Sequence, residues 1–167
     1  MATEKNAKIA ALAIAAIIIV LAFLGPIPTM GVTSDNTTPA FMPRLLYNIL
    51  HASVLHAVIN AWCLLSAIFI FNIKLEKLLL AFGVAATAPS WVFSEIPTLG
   101  LSGVIYFLFG SVSMAVRHKI FYHAWFTVII AVGFLMPAVN ARLHLYCYIC
   151  GVLLAMLTTP MFKTKTS

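Results

Sequence analysis

The chain has 167 residues, of which 63% are hydrophobic and 8% charged, with a mean hydropathy of +1.07. No water-soluble domain of this size needs so much apolar surface, so the composition predicts an all-α, multi-pass membrane protein. A net charge of +6 would suggest nucleic acid for a soluble protein, but the placement of the basic residues explains it through membrane topology, and no nucleic-acid partner is expected.

Six apolar runs follow one another, approximately Ile9–Leu24, Leu46–Phe71, Leu78–Phe93, Ser102–Val116, Phe121–Val139 and Leu143–Met161. They form a single transmembrane domain over 1–167, since spans of about 20 residues with short loops leave no room for a soluble one. The first run is long for a signal peptide and is followed by five more, so it reads as a retained helix. Breakers mark the connections: Pro26, Pro28 and Pro39 in the first and longest loop, Asn72 to Lys74, Glu95 to Pro97, Arg117 to Lys119, and Pro137 to Asn140. The three cysteines, Cys63, Cys147 and Cys150, all fall inside apolar runs. An odd number at such positions argues against a disulfide framework, and Cys147-x-x-Cys150 lacks the partner pair that a metal site needs. No metal and no organic cofactor is expected.

Eight of the ten Lys and Arg lie at the N-terminus, the second and fourth loops and the C-terminus; the outer loops hold only Arg44 and Arg142. Both termini are therefore expected in the cytoplasm. In that topology the second, fourth and sixth spans run inward, which brings His56, Asn60, Ser102 and His144 to a similar depth near the external face. The fourth span, Ser102–Val116, would measure about 22 Å at ~1.5 Å per residue, against a hydrocarbon core of about 30 Å. Its N-terminus should lie sunken, where irregular backbone is tolerated beside protein or a water-filled cavity.

The residues placed there are the parts of an acyl-transfer site. Gly100-Leu101-Ser102-Gly103 sets a hydroxyl at a helix start, His51-x4-His56-x3-Asn60 precedes it on the second span, and His144 opens the sixth, with Gly151 seven residues later. Taken singly, Ser102 could bond its own i−4 carbonyl and Asn60 could be interhelical glue. Taken in register, they resemble the rhomboid intramembrane serine proteases of the minimal six-helix bacterial type, over the stretch Arg44 to Gly151.

The resemblance implies a six-helix bundle in a bacterial inner membrane, with Ser102 as nucleophile, His144 as general base, and an oxyanion hole from His56, Asn60 and the Ser102 N–H. It implies that Tyr106 packs on the catalytic imidazole and that Gly100, Gly103, Cys147 and Gly151 support the site. Substrates would be single-span membrane proteins, cut near the outer face after small residues and admitted from the bilayer between the second and fifth spans past Ile59, Trp125 and Phe126. Two positions depart from the family. Cys147 stands where a glycine is usual, which leaves the Ser102–His144 distance open. Met42-Pro43-Arg44 replaces a Trp-Arg pair, which leaves the anchoring of the first loop open. His51, about 140° from His56 around a helix, reads as structural, bonding the first loop. The alternatives are a catalytically silent relative that binds membrane segments without cutting them, and a small transporter or channel; the latter expects charges at mid-span, and none is present.

Overall fold

The computed structural model describes residues 2–34 and 41–158, and among these it is all-helical, with seven α-helices and no strand. They are α1 (Ala2–Phe23), α2 (Phe41–Leu46), α3 (Val54–Phe71), α4 (Leu75–Ala86), α5 (Ser102–Val112), α6 (Lys119–Phe134) and α7 (Ala141–Thr158). Three of them, α1, α3 and α7, are long and apolar enough to cross a membrane; α4, α5 and α6 are shorter. Large apolar side chains such as Trp62, Phe121 and Leu157 face outward.

The apolar runs and the helices differ where local chemistry intervenes. The second run is not one helix: α2 stops at Leu46, and α3 begins only after Ser53, whose extended backbone and side chain, accepting from the His56 N–H at 3.2 Å, form an N-cap. The third run ends early because Pro89 disfavours helix at Ala88; α4 closes at Ala86, and residues 90–92 form one 3₁₀ turn. The fourth run also tightens to 3₁₀ after Val112, and the fifth stops at Phe134, ahead of Pro137. The last helix ends its described course at Thr158; residues 159–161 of the expected span lie outside the described residues.

α5 is the central helix, packed against α3, α4 and α7. Its closest neighbour is α7, because two glycines meet: a Cβ on Gly110 would collide with the Tyr148 carbonyl, and one on Gly151 with the Phe107 carbonyl. Small residues at such a crossing let backbones approach. α1 covers α3 with a stripe of Ala7, Ala11, Ala15, Ile18 and Ala22, all buried at helical spacing. α6 is attached more loosely, packing on α7 and the 113–115 turn.

The loops are tied across the site end. Val32 and Thr98 exchange two backbone hydrogen bonds, at 3.2 and 2.9 Å, and the Gly100 N–H donates to the Tyr47 carbonyl at 2.8 Å. Arg44 ties α2 to the segment after α4: its guanidinium donates to the Ala88 carbonyl at 2.6 Å and lies over the Phe93 ring.

Candidate active site

The N-cap at Ser53 sets the phase of α3, so that His56 and Asn60, one turn apart, share a face. The segment before α5 comes up against that face. Gly100 has φ +130°, a conformation other residues adopt only under strain, and a Cβ there would lie 2.7 Å from His56 Cε1 and 3.5 Å from Asn60 Nδ2. Both the backbone angle and the space therefore require glycine. With the amides of Gly100 and Leu101 already engaged, the Ser102 N–H is the first at the α5 N-terminus without an intrahelical acceptor.

Ser102 Oγ lies 2.7 Å from His144 Nε2, so the hydroxyl does not turn back to its own helix. His144 is held from two sides. Asn140 caps α7, accepting from the Leu143 N–H at 3.2 Å, and its amide donates to Thr98 Oγ1 at 2.9 Å, which ties the start of α7 to the segment leading into α5. Tyr106, one turn into α5, stacks on the imidazole with ring centroids 4.3 Å apart and planes 14° from parallel. Below it, Cys147 is fully buried, and its Sγ would lie 3.4 Å from a Cβ placed on Gly103. That is an ordinary contact distance, so the cysteine fits without pressing on α5, and the short Ser102–His144 contact survives it.

Among the described residues, the buried Asn60 amide nitrogen has no hydrogen-bond partner. Unpaired buried donors are rare and costly. The donor lies toward Gly100, two residues before Ser102, and Asn60 lines the same cavity as Ser102 and His144.

Comparison with protein-family models, with curated proteins and with solved structures finds no match.

Two cavities meet at Ser102, His56 and His144. One, of about 200 Å³, lies at the loop end between residues 94–99 and 137–140. The other, of about 670 Å³, is apolar and runs between α3 and α6, lined by Ile59, Asn60, Cys63, Tyr106, Trp125 and Phe126 among others. All three expected gate residues thus border one cavity. Ile59 and Trp125 are more than half exposed. Phe126 is instead packed, stacked on Tyr148 and edge-on to Tyr106.

His51 needs a correction. It precedes α3, so a helical angle to His56 has no meaning. Nor does its second bond go to the first loop beyond its own turn: the Leu101 N–H donates to its Nε2 at 3.4 Å, and its Nδ1 faces the Ile49 carbonyl at 3.3 Å. Accepting at Nε2 places the proton on Nδ1, which then donates to Ile49. The ring also meets His56 edge-on, centroids 5.1 Å apart. His51 is structural, but it supports the segment that carries Ser102.

Sequence reasoning missed Asn140 as a cap, though an Asn just before an apolar run is a recognisable helix-start signal. It also missed Tyr47, whose carbonyl holds Gly100 and whose hydroxyl donates to the Ala85 carbonyl at 2.8 Å; no local pattern marks it. Among the described residues, no three His, Cys, Asp or Glu side chains converge as a metal-binding group, and all three cysteines are free thiols.

Proposed function

We propose that this chain is a rhomboid-like intramembrane serine endopeptidase, a six-span protein of a bacterial inner membrane with both termini in the cytoplasm. The observation that carries the reading is the 2.7 Å contact between Ser102 Oγ and His144 Nε2 at the junction of the two cavities. Serine is a weak nucleophile until a base takes its proton, and a neutral imidazole does so near neutral pH.

In this reading a substrate helix slides from the bilayer into the apolar cavity between α3 and α6 and unwinds near its outer end. Ser102 Oγ attacks the scissile carbonyl as His144 Nε2 takes the hydroxyl proton. The carbonyl oxygen becomes an oxyanion, which accepts from the unpartnered Asn60 amide, from His56 and from the Ser102 N–H, whose helix-end dipole favours negative charge. The imidazolium then protonates the leaving amine, and the peptide bond breaks to leave an acyl-serine. Water reaching the acyl-serine through the loop-end cavity attacks its carbonyl as His144 takes a proton, and the imidazolium returns that proton to Ser102 Oγ as the ester bond breaks and the acid leaves. Among the described residues, no carboxylate is bonded to the imidazole. The Tyr106 ring stacked on it takes the positioning role.

Purified protein in liposomes, given a single-span substrate with a helix-destabilised segment, should cleave it near the outer face and should react with a fluorophosphonate at Ser102. Ser102→Ala and His144→Ala should each abolish cleavage, and the double variant should be no worse than either, because nucleophile and base act as one unit. If the wild type cuts nothing and Ser102 ignores the fluorophosphonate, the chain is instead a silent binder of membrane segments.

A further inference from the structure

The two basic residues of the loops at the site end are used differently. Arg44 is engaged by the Ala88 carbonyl and the Phe93 ring. Arg142, in the first turn of α7 and two residues before His144, is exposed, and no described residue engages its guanidinium. Glu95, between α4 and α5, is likewise exposed and unpaired. Both line a third cavity, of about 420 Å³, whose walls include Phe93, Phe134 and Met136. It shares Ser94, Ile96, Pro137, Val139 and Asn140 with the loop-end cavity, which in turn meets the apolar one at Ser102 and His144. The three cavities therefore adjoin in one run, from the gap between α3 and α6, past the hydroxyl–imidazole pair, to the loops.

Charge is unevenly placed along that run. Apart from the histidines, Glu95 and Arg142 are the only ionisable carboxylate and cation among the described lining residues, and both stand at the loop end. A membrane segment has the same polarity, an apolar stretch followed by a flank in water. With the apolar stretch between α3 and α6 and the reacting carbonyl at Ser102, the flank has to leave on the loop side. At ~3.3 Å per extended residue, it passes the third cavity within a few residues of Ser102. We propose that this cavity reads charge on the extramembrane flank of the bound segment, with Arg142 receiving a carboxylate and Glu95 an ammonium or guanidinium group. The planar fork of Arg142 matches a carboxylate with two parallel hydrogen bonds. No ion pair joins Arg142 to Glu95, so none has to break when the flank arrives. Both groups are exposed, so each contact is of modest strength and acts as a selector, not as the main source of affinity. The assignment rests on the reading that the Ser102 site takes membrane segments, whether or not it cuts them.

The test uses the full chain in zwitterionic liposomes, with helix-destabilised single-span substrates that carry Asp, Gln or Lys at each extramembrane position near the cut. Catalysis is read as kcat and KM, and binding as photocrosslinking to the same proteins carrying Ser102→Ala. At one position or more, Asp should bind more tightly than Gln by up to about fivefold, the scale of an exposed ion pair. The gain should appear in KM and not in kcat, because the contact is the same before and during reaction. Arg142→Gln should remove the Asp advantage and keep the Lys advantage found at a different position; Glu95→Gln should do the reverse. Arg142→Glu should prefer Lys where the wild type prefers Asp. Each preference is a ratio taken within one protein, so a loss of folded material cancels. Absence of any charge preference, an Asp advantage that survives Arg142→Gln, a Lys advantage that survives Glu95→Gln, or charge effects confined to kcat would each overturn the proposal. If no substrate is cut, the protease reading fails, while crosslinking to the Ser102→Ala proteins still decides whether Arg142 and Glu95 read the flank.

Discussion

The α5–α7 crossing offers a perturbation whose size can be worked out in advance. In Gly151→Ala the new Cβ would lie 3.0 Å from Gly110 Cα and 2.9 Å from the Ser111 nitrogen, besides colliding with the Phe107 carbonyl. Carbon atoms in good contact stand about 3.5–4.0 Å apart, so the helices must separate by roughly 0.5–1 Å. The obstacle is backbone, which no rotamer change relieves. Overpacking of this kind costs about 1–3 kcal/mol. Ser102 and His144 stand on these same two helices, so their 2.7 Å contact should open by a comparable amount. A misplacement of about 1 Å can lower a rate on the order of 10²-fold. The assay is the rate of fluorophosphonate labelling at Ser102, with thermal unfolding in detergent as the companion measurement. Gly83→Ala is the matched control: a Cβ at this position on α4 meets nothing within 4 Å, so it should be neutral or stabilise by up to about 1 kcal/mol. Wild-type labelling by a fully folded Gly151→Ala protein would refute the claim that this crossing sets the dyad geometry.

Four further outcomes follow from the same contacts. Cys147→Gly should label Ser102 at or above the wild-type rate, whereas Cys147→Leu, pressed against Gly103, should lose rate on the order of 10²-fold; equal rates would mean that α7 does not bear on α5 there. Asn60→Ala should lower cleavage by about 2.7–4 kcal/mol of transition-state stabilisation, leaving residual activity from the remaining donors, as kcat measured in liposomes would report. Cleavage should be lost as the pH falls and His144 becomes an imidazolium that cannot accept the serine proton; a pH–rate profile rising toward acid would rule out the imidazole as base. Reporter fusions at Ser167 and in the Thr33–Pro39 loop should read cytoplasmic and external respectively, from the distribution of Lys and Arg.

Composition and the length of the apolar runs alone predicted an apolar, all-helical chain, because an excess of apolar surface and runs near membrane length are local properties. The candidate site residues Ser102, His144, His56 and Asn60 also stood out, since they are polar side chains in otherwise apolar runs, and such residues are costly in a membrane. Helix ends were less legible. The break before α3 depends on Ser53 acting as a cap, and the end of α4 on Pro89; each is a one-residue signal that a hydropathy run averages away.

What only the tertiary structure decided is how the runs meet. Cys147 could have forced α7 away from α5; it does not, because its Sγ is small enough that even a Cβ at Gly103 would meet it at an ordinary 3.4 Å. His51 looked remote from the site while it was counted along a helix, and came beside His56 once the chain was seen to turn at residues 47–53. Arg44 finds the Ala88 carbonyl 44 residues away, and Tyr47 holds Gly100. The cavity between α3 and α6 exists because α6 packs on α7 and leaves α3 across a gap. The sequence names the side chains and their spacing within one helix. Which of them touch across helices depends on complementary volumes and on hydrogen bonds between distant segments, and those come into being only when the chain packs.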